Sequence, residues 1–511
     1  MLRLNNPWVS MLILLISGVI SVFAFAPFNH PAMMVLSILA LLFVIENQAL
    51  GNRKLIIYSY VYALAYFNTQ LYWIFSSLYY VMKTGFWVAL IAHICFMWFL
   101  ASYIVLAIFF YVRLRTKYSW FNYLVLFPSL WVFFEWFRGY FLGGFAWCEV
   151  GYSQVANSFF RGIYPILGSY GVSWVTLSLI GVAYLILNPF DGLKVTNRGF
   201  KLSLLYIAAV LSIGQLLDGI QYTHNYGKPI SVGLIQGNIS EADKWSHDPY
   251  LQVYPDLITN TKADLVLIPE TAIAGFEEDL PKGFLDKLTK IANANHSELI
   301  IGIPKIIDDD YDYVNAAMLL TNPNHPYYAK YHLVPYGEYI PLKEILKPVY
   351  AKIKLPMVGF TKGAEEQKPI VAASQKLAFN ICYENAFGAE LIGAAKQSTL
   401  MVNLSDMVWY GYSIAKDEHV QMSQIRALEN QRYFIQETNT GVTAIINTQG
   451  QIVHTLPIFK RLVLEATVQG RYGATPFENY SNYPIVIFCL IIIMGVFIYK
   501  IFYIKQQKLN A

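Results

Sequence analysis

Eight runs of mostly apolar residues, each near the roughly 20 residues needed to cross the hydrocarbon core of a bilayer, leave this chain few folds to adopt. They lie near 8–26, 31–47, 55–77, 86–112, 120–138, 161–188, 202–220 and 483–503. Between the seventh and the eighth lies a long stretch of ordinary soluble composition. The expected organisation is an N-terminal membrane domain over 1–225 with seven transmembrane helices, a soluble domain over 226–475, and a C-terminal transmembrane helix with its tail over 476–511. Composition agrees with this division. With 56% hydrophobic, 16% aromatic and only 14% charged residues in 511, and a mean hydropathy of +0.41, the chain has more apolar surface than one soluble core can hide. Only Arg3 precedes the first run and "FAFAPFNHPAMM" follows it, so it reads as a retained anchor rather than a cleaved signal peptide.

Orientation follows from lysine and arginine in the connections, which stay cytoplasmic. One set of ends holds Arg3, Arg53, Lys54, Arg113, Arg115, Lys117, Lys194, Arg198, Lys201, Lys500, Lys505 and Lys508; the other holds Lys83, Arg138 and Arg161. Twelve against three places both termini in the cytoplasm, and an odd number of preceding spans carries the soluble domain across, to the periplasm in a bacterium. The formal charge of +4 is too small for this length to suggest a nucleic-acid partner. Four cysteines, Cys95, Cys148, Cys382 and Cys489, show neither CxxC nor Cys/His spacing, so neither a disulfide framework nor a metal site is expected. Nothing in the sequence calls for a cofactor.

Within the soluble stretch, "ISVGLIQGN", "ADLVLIPE", "ELIIGIPK", "KLAFNICYE", "STLMVNLSD", "RYFIQETN" and "VTAIINTQG" read as buried strands with polar ends. Helix-like segments such as 281–294 and 415–430 separate several of them. This alternation predicts a layered α/β domain, whose chemistry gathers at strand ends. Three such stretches hold reactive groups: "LIPETAI" carries Glu270, "YAKYHLVPYGEYIP" carries Lys330 and Glu338, and "FNICYENAF" carries Cys382. A thiol is mostly protonated at neutral pH and needs help to attack. A carboxylate can take its proton, and a lysine ammonium favours thiolate and can meet an oxyanion. Glu, Lys and Cys together suffice for acyl transfer through a thioester, and none of the three stretches offers a Cys–His pair of better standing.

The order Glu, Lys, Cys, with "PE" after an apolar strand, "HLVPYGEYIP" and "CYE", resembles the nitrilase, or carbon–nitrogen hydrolase, superfamily. Seven spans, such a domain and one last span, together with "QGNI", "KW", "ICYE", "EWFRGY" and "GGFAW", resemble the apolipoprotein N-acyltransferase family along nearly the whole chain. The fold so implied is an α-helical membrane bundle of eight spans with an inserted α/β nitrilase-like αββα sandwich. The resemblance implies that Glu270 is the general base, Cys382 the nucleophile and Lys330 the oxyanion-stabilising cation. Glu338 would hold Lys330 and the Glu270 side of the pocket, Tyr383 and Glu384 would support nucleophile and acceptor, and Trp245 would bind lipid or lipopeptide near the entrance. The backbone N–H after Cys382 would be a second oxyanion donor. The implied partners are a phospholipid acyl donor, expected to be phosphatidylethanolamine, a diacylated apolipoprotein as acceptor, and the membrane lipid around a monomer.

Plainer roles exist for each residue. Cys382 alone could fill a core, Glu270 could start a helix, Lys330 could be a solvated loop lysine, Glu338 a turn acid and Trp245 a packed lid aromatic. Glu135 and Arg138 near a span end read as a structural ion pair or a headgroup contact, and Cys148 has no neighbouring base. As whole-chain alternatives there remain a membrane-tethered amidase whose thioester is resolved by water, and a non-enzymatic binding or sensor domain.

Overall fold

A computed structural model describes residues 6–46, 50–187, 197–244, 249–308, 312–340 and 359–509. The chain forms two compact units: Met1–Ile220 with Tyr412–Gln421 and Asn479–Ala511, and Gln221–Gly411 with Met422–Glu478. A ten-residue segment inside the stretch 226–475, Tyr412–Gln421, belongs to the first unit.

In the first unit, five helices among the described residues are long and apolar enough to cross a membrane: Pro7–Ala24, Phe86–Leu114, Tyr164–Leu187, Gly199–Asp218 and Tyr483–Phe502. The other three expected runs are helical but do not meet both criteria. Ala32–Glu46 is apolar but has 15 residues, and Asn52–Leu71 has 20 but opens on Asn52, Arg53 and Lys54 and carries Gln70. The run near 120–138 divides into a π-turn, Asn122–Leu126, and a helix, Phe127–Arg138. The Nε2 of buried Gln70 donates within the unit, to Ser21 Oγ at 3.3 Å and to the Tyr66 carbonyl at 3.1 Å. Gly18 lets Pro7–Ile20 cross Asn52–Leu71 closely, since a Cβ there would lie 2.6 Å from the Tyr62 carbonyl oxygen. Such small-residue contacts are how helices pack where lipid supplies no hydrophobic drive.

Glu135 and Arg138 are both buried. Glu135 Oε1 accepts from the Val150 N–H at 2.8 Å, and the Arg138 guanidinium lies over the Phe67 ring. Cys148, which lacked a base in the sequence, is buried within electrostatic reach of Glu418, Glu135 and Glu149. None of the four cysteines forms a disulfide among the described residues. Of the residues behind the expected orientation, Arg3 and Lys194 lie outside the described residues, as do the side chains of Arg198, Lys505 and Lys508.

The second unit contains fourteen strands among the described residues: β1 (Thr223–Asn225), β2 (Ile230–Gln236), β3 (Leu265–Leu267), β4 (Glu298–Ile306), β5 (Tyr313–Leu319), β6 (Tyr327–Ala329), β7 (Ile370–Ala372), β8 (Gln375–Ile381), β9 (Leu400–Ser405), β10 (Phe434–Thr438), β11 (Ala444–Ile446), β12 (Ile452–Thr455), β13 (Leu462–Val468) and β14 (Arg471–Gly473). Two six-stranded sheets run β13-β2-β3-β4-β5-β6 and β12-β11-β10-β9-β8-β7, and β1 pairs with β14. The centres are parallel, β2-β3-β4 and β8-β9-β10, and the outer pairings antiparallel.

Strand periodicity explains the layering. Val232, Leu234, Leu265 and Leu267 meet Leu377, Phe379, Leu400 and Val402 in one core between the sheets. Their alternate neighbours Ile235, Val266 and Ile268 pack with Tyr254, Ile258 and Leu288 of helices Tyr250–Asn260 and Phe284–Ala294. On the far sheet, Gly388–Ala395 packs beside β8, and Ser423 of Ala415–Asn430 reaches Gln436 of β10 through a short hydrogen bond. The order is helix, sheet, sheet, helix.

Candidate active site

Each reactive stretch leaves the sandwich at a strand end. Glu270 lies just past β3, Lys330 directly follows β6, and Cys382 directly follows β8. Three segments far apart in sequence thus meet at one place in the second unit.

Cys382 opens a 3-10 turn, Cys382–Ala386, and has φ +52°. A side chain in this left-handed region is strained, and a sharp turn of that kind after a strand is a recurrent way of presenting a nucleophile. Asn403 of the neighbouring strand donates to the Cys382 carbonyl at 3.2 Å. The thiol is 6% exposed. Burial pushes its pKa well up, the Glu270 charge pushes the same way, and Lys330 opposes them. At rest it is a neutral thiol, hydrogen-bonded to the Glu270 carboxylate.

Glu270, 6% exposed, has both oxygens held. Oε1 accepts from Lys330 Nζ at 3.2 Å and Asn315 Nδ2 at 2.8 Å, and Oε2 accepts from the Asp406 backbone N–H at 2.8 Å. Lys330, 1% exposed, is no solvated loop lysine. Its backbone N–H is tied to the Asn315 carbonyl, and its ammonium also donates to Glu338 Oε1 at 2.8 Å. Burial alone would lower the Lys330 pKa; the charges of Glu270 and Glu338 overcome this and hold it well above the usual lysine value. It is therefore a permanent cation beside the thiol.

Glu338 receives three bonds, from Lys330, from Asn315 at 3.2 Å, and at Oε2 from the Val334 N–H at 2.8 Å. Glu384, 2% exposed, ties the turn after β8 to the loop after β6. It accepts from the Ile381, Tyr331 and His332 N–H groups and from the Tyr328 hydroxyl. Burial raises its pKa against those backbone donors. Tyr383 is buried with its ring against Phe387 and His332. Trp245 lies outside the described residues.

Four contributors escaped sequence reasoning. Asn315 bridges Glu270 and Glu338; a lone asparagine inside the apolar strand "YVNAAML" was the signal for it. The buried Tyr410 hydroxyl is hydrogen-bonded to the Cys382 thiol, with nothing in its surroundings to mark it. Asp406 acts through its backbone, which no side-chain pattern reveals. Lys244, quoted only as part of "KW", forms a buried ion pair with Asp406 at 2.5 Å. A neutral thiol, an adjoining carboxylate and a fixed cation can form an acyl-thioester and stabilise its oxyanion.

Residues 17–182 match the family described as apolipoprotein N-acyltransferase N-terminal domain, and residues 231–477 match carbon–nitrogen hydrolase. An apolipoprotein N-acyltransferase of Chromobacterium violaceum is 36% identical over 483 residues, covering 93% of this chain and 90% of the relative. Its namesake in Neisseria meningitidis serogroup B is 37% identical over 470 residues, covering 90% of each, and that of Haemophilus influenzae is 30% identical over 510 residues, covering 96% and 95%. With both matched regions and such relatives spanning nearly all of its length, the chain belongs to the apolipoprotein N-acyltransferase family.

Proposed function

We propose that this protein transfers an acyl chain from a membrane phospholipid to the N-terminal amine of a diacylglyceryl-cysteine lipoprotein, through a thioester on Cys382. The observation that carries this is the buried meeting of Glu270, Lys330 and Cys382 at three strand ends in a chain with long apolar helices.

Cys382 Sγ attacks the ester carbonyl, expected to be at sn-1 of phosphatidylethanolamine, while its proton passes to Glu270. The resulting oxyanion is met by the Lys330 ammonium and the Tyr383 backbone N–H. As the ester C–O bond breaks, Glu270 returns the proton to the departing alcohol, leaving lysophospholipid and acyl-thioester. The lipoprotein α-amine then attacks the thioester, passing its proton to Glu270. Cleavage of the C–S bond releases a thiolate, which takes that proton back. Glu338 and Asn315 hold Lys330 and Glu270 in place, Glu384 and Tyr383 shape the nucleophile turn, and the family resemblance assigns Trp245 to binding lipid or lipopeptide.

Both substrates are anchored in lipid, so eight spans around one catalytic domain have a physical purpose. Bringing one acyl chain of about 16 carbons through water would cost on the order of 10 kcal/mol, at about 0.8 per methylene. Excess lysine and arginine at one set of helix ends supports cytoplasmic termini and a catalytic domain on the periplasmic face of the inner membrane. One chain supplies the whole site, which supports action as a monomer.

Intact-mass analysis tests the reaction. Incubation with phosphatidylethanolamine should add one acyl mass, absent in Cys382→Ala. Addition of a diacylglyceryl peptide should discharge it as N-acylated peptide. Release of free fatty acid alone would identify a hydrolase, and no adduct under turnover conditions would identify a binder.

A further inference from the structure

We propose that Lys244 is a positioning residue for the Glu270 base, acting on it from both sides; this rests on Cys382 as nucleophile and Glu270 as its base. Lys244 ends the helical turn Glu241–Lys244 and is 3% exposed. An ammonium leaves water at a cost of several kcal/mol unless well paired. Its partners here are Asp406 Oδ2 at 2.5 Å and Thr271 Oγ1 at 2.6 Å.

Each partner controls Glu270 by a different route. Thr271 is the next residue in the chain and has φ +44°, a left-handed conformation that a β-branched residue adopts only when its surroundings hold it there. Its hydroxyl on Lys244 is one such restraint. Asp406 gives its backbone N–H to Glu270 Oε2, while its own Oδ1 accepts from Asn439 Nδ2 at 3.1 Å and from the Val408 N–H. The ammonium therefore fixes the turn that carries the base and the donor that orients its carboxylate. It also balances a second buried carboxylate, that of Asp406. Without that cation, Asp406 would be an uncompensated anion beside a carboxylate that must accept a proton.

None of these contacts requires substrate to touch Lys244. Losing it should slow the chemical step and leave lipid binding alone, because a misplaced base costs about 100-fold per ångström of error. The experiment uses full-length protein in phosphatidylcholine nanodiscs with increasing phosphatidylethanolamine, following acyl-Cys382 by intact mass in a single turnover. Lys244→Met should lower the maximal acylation rate about 10- to 100-fold, with an unchanged half-saturating lipid fraction. Double-mutant coupling should be strong: Lys244→Met/Asp406→Asn, which leaves no lone charge, should acylate faster than Lys244→Met. If Lys244→Met does not fold, Thr271→Val, which removes one tie and keeps the ion pair, should slow acylation several-fold at an unchanged Tm.

Wild-type rates in Lys244→Met, or in Thr271→Val where the first variant is unstable, overturn the inference. So does a shift confined to the half-saturating lipid fraction, which would make Lys244 a lipid contact. A wild-type protein that never acquires the adduct brings down the acyl-transfer reading and this inference with it, whereas a normal wild-type adduct with undisturbed variants brings down this inference alone.

Discussion

At Cys382 the environment works against the ionised form. Burial and the Glu270 carboxylate both raise the thiol pKa, and only Lys330 lowers it. The sign of two substitutions follows. Glu270→Gln removes a negative neighbour, so the pH midpoint for alkylation of Cys382 by iodoacetamide should move down although acyl transfer is lost. Lys330→Met removes the opposing cation, so the midpoint should move up. A rate-versus-pH series on the two variants decides it; midpoints moving in the same direction would contradict the electrostatic assignment. Cys382→Ser should lose turnover by on the order of 1,000-fold or more, because a hydroxyl is far harder to ionise than a thiol. Wild-type-like release of lysophospholipid by the serine variant would remove Cys382 from the chemistry. Much of this site was legible in sequence, because "PETAI", "AKYHLVPYGEY" and "ICYEN" each place an ionisable group at a strand end. What was not legible acts through the backbone or by long-range convergence. Asp406 contributes an N–H that any residue type would supply, and Tyr410 reaches the thiol from 28 residues further along the chain.

Among the elements, the close approach of β4 to the end of β3 sets where Glu270, the proposed base, sits. Gly302 of β4 faces Pro269 and Glu270 so tightly that an added Cβ would lie 2.0 Å from the Pro269 carbonyl oxygen and 2.8 Å from the Glu270 Cα. That neighbour is backbone, so relief must come from moving the segment that carries Glu270. Gly302→Ala should therefore lower acylation at least about 10-fold, more than its loss of Tm would account for, since small displacements of a base are expensive. Equal acylation by the folded variant would show that the strand end can shift without consequence. The seven strands read from sequence correspond to β2, β3, β4, β8, β9, β10 and β11, which are the two parallel centres and the one strand β11 beside them. Doubly buried strands leave continuous apolar runs. Those not read are mostly short or at the margins. β6, β7 and β14 have three residues each, β12 is exposed throughout, and β13 is exposed or half-buried up to its last residue, Val468. The helix expected over 415–430 has those bounds, and the one expected from 281 starts at Phe284 after Gly283 at φ +75°; helix ends are set by local turns that periodicity does not see.

For the whole molecule, apolar length marked the membrane character. Among the described residues, its resolution into five qualifying helices and three shorter, more polar or interrupted ones follows from where helices end and break, as at the π-helical turn Asn122–Leu126, which an apolar run does not mark. One buried acid in that membrane unit ties stability to pH. Glu418 is buried, and its Oε2 accepts from Trp147 Nε1 at 2.8 Å. Burial raises its pKa from 4.5 to about 8. The folded protein thus keeps this proton up to about pH 8, while the unfolded chain releases it above 4.5. Its stabilising contribution is complete below 4.5, declines through the interval and is lost as pH rises through 8. At about 1.4 kcal/mol per pKa unit the ceiling is roughly 5 kcal/mol. Glu418→Gln retains an acceptor for Trp147 but has nothing to ionise. Its Tm in detergent should match or fall slightly below that of the wild type near pH 5 and exceed it near pH 9, giving a flatter curve between. Parallel Tm curves from pH 5 to 9 would mean that Glu418 is ionised in the fold and that some other group bears its charge.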